Sequence, residues 1–397
     1  MALVGRSGSG KTTAAASFVD LWRGIHRPQQ GETEIQARVR SNRVQASFPD
    51  GVLWLRVGEG AGSANRLQSL MRTLAKKLCE EVLENSVDDP STVNGDITSF
   101  IKYLVTKGQG GRGALCCLVV ADDVWEAAVV DELRETGLWV LVTTRHDSVG
   151  FDEKVMVDKL PIKEAENLLR GAAGLQQDER LPDEAMTILE RCHYVAMDVA
   201  FVGRWSTVRT GRDGVAKGKQ AWAEALGEID AQVPAVRNEI GTTAGMDDRE
   251  VNRLAVLHAG YMYLGQEDDN AEKLYAALMV LPDGYGFNEH DAAVLLYNHK
   301  VHAEHQMKTV EDAVSILEQW DVLRKEASGL YHMHDVHLHF VRANREEWAG
   351  IRLKAIRRWT SHISSLKVVC EMDVYTVARL WRALKHVGGE GWQASRP

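Results

Sequence analysis

The stretch MALVGRSGSGKTT, Met1 to Thr13, decides the fold. An apolar Leu3-Val4 leads into Gly5-Arg6-Ser7-Gly8-Ser9-Gly10-Lys11-Thr12, which fits G-x-x-x-x-G-K-[ST], and Thr13 to Leu21 reads as a helix. A strand, a glycine-rich turn and a helix in that order present backbone N–H groups and a helix N-terminus to one point, where a polyphosphate is favoured. The candidate cradle runs from Gly5 through Ser7, Gly8, Ser9 and Gly10 to Lys11, Thr12 and Thr13. Lys11 would reach the β and γ oxygens of a nucleotide, and the Thr12 hydroxyl would ligate Mg²⁺.

Outward from the loop, strand and helix patterns alternate up to about residue 150. Val52 to Val57, Leu115 to Ala121 and Trp139 to Thr144 are short continuous apolar runs of the kind that form strands buried on both faces. Leu67, Leu70, Met71, Leu74, Leu78 and Val82 recur between the first two at helical spacing, so a parallel sheet covered by helices is expected. The polar stretches Arg27 to Ser47 and Asn85 to Asp96, and the glycine-rich Lys107 to Gly113, read as surface loops or insertions.

Two further strand ends carry chemistry. LCCLVVADDVW ends in Asp122-Asp123, where one acid can hold Mg²⁺ and its neighbour can orient an attacking water. Asp122 is the candidate metal ligand and Asp123 the candidate catalytic acid; an Asp pair capping the next helix is the plain alternative. WVLVTTR places Arg145 just beyond a buried strand, at the edge where ligands bind in open parallel sheets, and its guanidinium could contact a γ-phosphate.

Composition bounds the rest. The 397 residues suggest two to four domains, and 45% apolar content with only 8 prolines excludes disorder and collagen. A net charge of −9 gives no global field toward nucleic acid. The five cysteines (Cys79, Cys116, Cys117, Cys192, Cys370) lack C-x-x-C spacing, which argues for a reducing compartment. The longest apolar run, Ala114 to Ala121, is too short to span a membrane, and no charged leader precedes the glycine-rich loop.

Past Leu160 the pattern is helical. Asp183 is read as a cap for a helix carrying Met186, Leu189, Cys192, Val195, Val199 and Val202, and Thr309 with Asp312 as a capping box. DVLRKEASGLYHM reads as two short strands turning at Ala327 to Gly329, with a helix from about Asp335; helices followed by a hairpin suggest a winged-helix module. Trp348, Ile351, Ile356 and Trp359 then share a face of a basic helix. His299, His302, His305, His332, His337 and His339 read as solvated helical faces in preference to zinc ligands, and Asp198 on an apolar face as a paired structural carboxylate.

Taken together, GRSGSGKTT, FPDGVLWLRVG, LVVADDVW, VLVTTR, RCHYVAMDVAFVGRW and YHMHD resemble, in that order, the NB-ARC family, the STAND-class ATPase core of plant disease-resistance and apoptotic-protease-activating proteins. The resemblance implies an α/β fold: a P-loop NTPase parallel sheet over 1–155, a helical domain over 156–246, a winged-helix domain over 247–342 and further helices over 343–397. It implies ATP/ADP and Mg²⁺ as cofactors, with Lys11, Thr12, Asp122, Asp123 and Arg145 in the family's phosphate, metal, acidic and sensor positions. His334 resembles the histidine that touches the β-phosphate of ADP in the closed state. The expected activity is a slow ATPase switch in the cytoplasm, self-associating in its ATP state and signalling in defence or cell death through protein partners. Its rivals are a nucleotide-binding scaffold or degenerate fragment without turnover, and a DNA-reading regulator; nucleic-acid binding is the less expected because the winged helix packs on the nucleotide domain in this family. One departure stands out: Ala196 occupies the place of the proline that packs near adenine, so base specificity is not assigned. Both ends look cut relative to the family's longer architecture.

Overall fold

In a computed structural model, residues 1–25, 32–58, 60–83, 96–108, 113–151, 153–209, 219–240, 247–281, 285–297, 304–326, 329–343 and 349–365 are described. The chain divides into two compact units, Met1–Asp158 and the remainder from Lys159. The first is built on strands β1 (Ala2–Val4), β2 (Gly51–Arg56), β3 (Cys117–Val124), β4 (Trp139–Thr144) and β5 (Lys154–Met156), all parallel in the order β2-β3-β4-β1-β5. Among the described residues the α-helices that accompany them are α1 (Lys11–Trp22), α2 (Glu34–Ser47), α3 (Ala64–Lys77), α4 (Ile97–Lys107) and α5 (Ala127–Glu135).

Successive strand residues point to opposite faces, and both faces here are apolar. Leu118 and Val120 of β3 join Leu3 and Leu141 against Ala15 and Val19 of α1. Val119 and Ala121 join Leu53, Leu55 and Val142 against Leu74 of α3, Ile101 of α4 and Val130 of α5. Continuous apolar runs therefore fold into a two-sided α/β layer. Strand β3 begins two residues later than the run suggested and extends through both aspartates to Val124.

The stretch expected to be a loop up to Ser47 instead contains helix α2. Thr33 and Gln36 form a reciprocal capping box at its start. Its attachment to α1 is polar: the Ser41 hydroxyl donates to the Leu21 carbonyl at 2.5 Å and the Gln45 amide to the Trp22 carbonyl at 2.7 Å. Hydrogen bonds rather than an apolar stripe hold it, so no hydrophobic period marks it.

The second unit contains α6 (Ile162–Ala172), α7 (Asp183–Arg191), α8 (Ala196–Arg209), α9 (Lys219–Ile240), α10 (Asp248–Glu267), α11 (Asp269–Ala277), α12 (Glu289–Leu296) and α13 (Glu304–Gln319). An antiparallel hairpin of β6 (Leu323–Lys325) and β7 (Tyr331–Met333) follows, then α14 (Asp335–Ala343) and α15 (Ala349–Ser365). One core runs through it, with Trp205, Trp222, Tyr275 and Phe287 fully buried. Among the described residues no helix is long and apolar enough to cross a membrane.

Three local expectations in this unit are corrected. The apolar series from Met186 to Val202 is two helices, because His193 (φ 48°) and Tyr194 (φ 58°) adopt left-handed backbone and end α7. Asp183 is the first helical residue, with Pro182 at the cap position. Thr309 lies inside α13, its hydroxyl donating back to the His305 carbonyl at 2.9 Å, so it caps nothing.

Asp198 is buried and ion-paired to Arg253 at 3.3 Å, the expected structural pairing, and burial raises its pKa to about 6 against the pull of that arginine. His337 departs from expectation: it is fully buried, with Nδ1 3.0 Å from the Tyr275 hydroxyl and its ring 4.9 Å from Phe201. His305 is exposed as expected, whereas His299 and His302 and the side chain of His339 lie outside the described residues.

Burial, helped by the charges of His334 and Arg253, drives the His337 pKa well below the ordinary histidine value. The folded protein keeps this ring neutral while the unfolded chain takes up a proton near pH 6.5, so acidification below that point costs stability. Relative to His337→Gln, the wild type should lose stability with a slope approaching about 1.4 kcal/mol per pH unit well below pH 6.5. Urea unfolding of both proteins from pH 7.5 to 5 checks this; a constant difference across that range contradicts it.

Candidate functional site

The phosphate loop leaves the end of β1 at Gly5, whose N–H donates to the Thr144 carbonyl at 3.2 Å. A Cβ on Gly5 would lie 1.9 Å from the Val157 carbonyl oxygen, so only glycine fits this approach. Gly8 (φ 77°) and Gly10 (φ 99°) take the left-handed backbone that turns the chain into α1. Lys11 is buried with its ammonium donating to the Arg6 carbonyl at 2.7 Å, an arrangement that holds the charge within the loop. Buried Ser9 Oγ has no hydrogen-bond partner among the described residues. Ser7 is half-buried and Thr13 faces outward.

Parallel pairing of β1 with β4 and of β4 with β3 puts their C-terminal ends on one edge. There the Thr12 hydroxyl donates to Asp122 Oδ1 at 2.8 Å, although 110 residues separate them. The Thr143 hydroxyl donates to the same oxygen at 2.6 Å and accepts the Asp123 N–H at 2.9 Å. Asp123 has φ 60°, a left-handed conformation that a short polar side chain tolerates better than most. Arg145 reaches Asp123 Oδ1 at 3.7 Å, and its guanidinium lies over the Trp125 ring, 4.8 Å from the centroid. The His146 ring packs on the other partner of that cluster, 5.0 Å from Trp125.

The donor set suits the ligands that the motifs imply. Glycines at the close approaches, a buried ammonium and an orphaned serine hydroxyl fit a polyphosphate. Thr12 and Asp122 offer only oxygen, which suits Mg²⁺ rather than a soft metal. Among the described residues no group of three or more His, Cys, Asp or Glu could hold a metal.

Of the expected site residues, the first unit gathers Gly5 to Thr12, Asp122, Asp123 and Arg145 at the sheet edge. His334 belongs to the second unit, between β7 and α14; it is half-buried, with its N–H on the Val322 carbonyl at 3.1 Å. Ala196 opens α8, one residue beyond the left-handed pair His193-Tyr194. Sequence reading overlooked Thr143 and Trp125. The signal for the first was a hydroxyl on the strand beside the acidic one, and for the second an aromatic ring two residues past the acids.

This sheet, loop and acidic strand define a P-loop nucleotide-binding domain. Residues 24–178 match the NB-ARC domain model. The chain resembles the STAND protein PH0952 of Pyrococcus horikoshii, which has a tetratricopeptide repeat sensor, at 14% identity and a TM-score of 0.47, covering 98% of this chain but 45% of that one. It also resembles the Walker-type ATPase PABY2304 of Pyrococcus abyssi, at 11% identity and a TM-score of 0.31, over 86% of this chain and 90% of that one. The Aeropyrum pernix ORC2 protein, solved in ADPNP-ADP complexes, matches at 14% identity and a TM-score of 0.28, over 86% and 87% of the two chains. These are loose likenesses and carry no functional argument. No curated protein sequence matches the chain.

If Lys11 holds phosphate, replacing it with Ala removes a charge-assisted contact worth about 1.5–3 kcal/mol, or roughly ten- to 150-fold in affinity. Calorimetric titration with ADP should show that weakening; equal affinity in mutant and wild type would remove Lys11 from the phosphate site.

Proposed function

We propose that the chain is an ATP/ADP switch that hydrolyses ATP slowly with Mg²⁺. The observation that carries this reading is the chain of hydrogen bonds from Thr12 through Asp122 to Thr143, set beside the buried Lys11 ammonium. Thr12 and Asp122 would hold Mg²⁺, which when bound neutralises charge on the phosphates. Lys11 and the N–H groups from Gly5 to Thr13 orient the polyphosphate, with Ser7 and Ser9 in the same cradle. Asp123 orients the attacking water and Arg145 contacts the γ-phosphate, so ATP and water give ADP and phosphate by in-line displacement, mostly through positioning and electrostatics.

The ion pair of Arg145 with Asp123 supports a second reading, in which nucleotide is held without turnover because the acid is engaged. Single-turnover phosphate release separates the two. Asp123→Asn is a clean probe, since Asn tolerates φ 60° as Asp does and the backbone need not move. It should retain Mg–nucleotide binding while slowing hydrolysis by at least about 10²-fold, the lower end for losing an acid–base group. Wild-type turnover in Asp123→Asn would reject its catalytic role.

The resemblance extends this reading to the second unit. The hairpin with its flanking helices serves as a winged-helix module, and His334 recognises the β-phosphate of ADP. Exchange for ATP promotes self-association, and the output is defence or cell-death signalling through protein partners in the cytoplasm. If His334 donates to ADP, His334→Ala should release a fluorescent ADP analogue up to roughly 10²-fold faster in stopped flow. An unchanged release rate makes His334 an ordinary packed histidine.

A further inference from the structure

The paired register of β3 and β4 breaks at the acids. Ala121 lies opposite Val142 and Val124 opposite Thr144, so two residues of β3, Asp122 and Asp123, face the single residue Thr143. This is a β-bulge inside a parallel pair, where bulges are rare. Its backbone is tied down on the other side: Val57 N–H donates to the Asp122 carbonyl at 2.9 Å and Gly58 N–H to the Asp123 carbonyl at 3.0 Å. The N–H of the second acid, Asp123, donates to the Thr143 hydroxyl. Thr143 is almost wholly buried, at 1% exposure, and its hydroxyl spends its own proton on Asp122 Oδ1.

We propose that Thr143 is the positioning residue that divides the acidic pair into two roles. In a regular strand, neighbouring side chains point to opposite faces of the sheet, and one of the two aspartates would be directed into an apolar layer. The extra residue of the bulge and the left-handed turn at Asp123 release the pair from that alternation. Asp122 is then bonded to Thr12 and Asp123 paired with Arg145. One hydroxyl serves both: it fixes the carboxylate of the first acid and the main chain of the second. A valine has the same shape but leaves the Asp123 N–H without the hydroxyl acceptor and Asp122 Oδ1 with the Thr12 donor but not that of Thr143, and an unmet buried N–H favours return to regular pairing.

This inference rests on the nucleotide reading of the site, and its test keeps the two apart. Thr143→Val, Thr143→Ser and, should the valine variant not fold, Thr143→Cys are compared with the full-length wild type. In nucleotide-free protein, amide exchange followed by NMR should show the Asp123 N–H losing protection by at least tenfold in Thr143→Val while its neighbours in β3 keep theirs, with Thr143→Ser restoring it. Calorimetry with ATP should show metal-free affinity within about threefold of wild type, but the gain in affinity on adding Mg²⁺ reduced about ten- to 100-fold, the range for losing a partner of a metal ligand. Serine again rescues. A purely structural role would lower stability and metal-free affinity together and would leave the Mg²⁺ gain untouched; that result, or unaltered Asp123 exchange in Thr143→Val or Thr143→Cys, overturns the proposal. Wild type that binds no ATP with or without Mg²⁺ overturns the nucleotide reading itself, whereas the exchange result stands independently of it.

Discussion

Strand β4 is paired on both sides, to β1 and to β3, and the geometry of the site depends on that double pairing. Parallel strands end together, so the loop after β1, the acids of β3 and Arg145 after β4 share one edge although more than a hundred residues separate the loop from the other two. The Thr143-Thr144 pair closes β4 at this edge with one role for each residue. Thr143 ties β3 through its side chain, and Thr144 ties the first residue of the phosphate loop through its carbonyl. Remove β4 from the middle and the phosphate loop and the acids have no common frame.

The close approach of Gly5 to Val157 is a second consequence of the same packing. β5 pairs with β1 on its free side, and the chain leaving β5 crosses under the phosphate loop, with Val157 N–H donating to the Val4 carbonyl at 2.7 Å. The loop is thereby fixed from both neighbours, by Thr144 and by Val157. A site that must present several N–H groups at once gains from such fixing, since the donors need no reordering on binding.

Much of this was legible from sequence where a local pattern suffices. Continuous apolar runs marked β2, β3 and β4 because both faces of the sheet are covered, and the glycine-lysine-threonine run marked the cradle because close backbone approach excludes other residues. What stayed hidden has a common cause. Helix α2 is attached by Ser41 and Gln45 to carbonyls at the end of α1, the break between α7 and α8 falls on two non-glycine residues with positive φ, and the helix of Thr309 starts five residues before it. In each case a partner distant in sequence, or a backbone choice that the side chain does not announce, outweighs the local signal. Thr143 belongs with them. As a residue it is an ordinary strand threonine, and its role exists only once the register of β3 against β4 is shifted by one.

The phosphate edge also concentrates the first unit's local costs. Asp123 holds a left-handed conformation that costs a non-glycine residue of the order of 1 kcal/mol, Ser9 buries a hydroxyl with no hydrogen-bond partner among the described residues, and Lys11 keeps an ammonium largely out of water. None of these is a packing requirement of the sheet, whose apolar layers would close equally well over less demanding residues. Such costs persist where function requires them, and a polyphosphate has the chemistry to relieve two of the three: acceptor oxygens for the Ser9 hydroxyl and negative charge for Lys11. Binding and folding of this unit are then linked, because a ligand that engages only the folded loop stabilises it by about 2.7 kcal/mol at a hundred times its Kd. The strain at Asp123 is different in kind, since the bulge holds it through Thr143 whether or not the loop is filled. On the proposed nucleotide reading, affinity lies in the loop after β1, and the arrangement of the acids in the strand pair β3-β4.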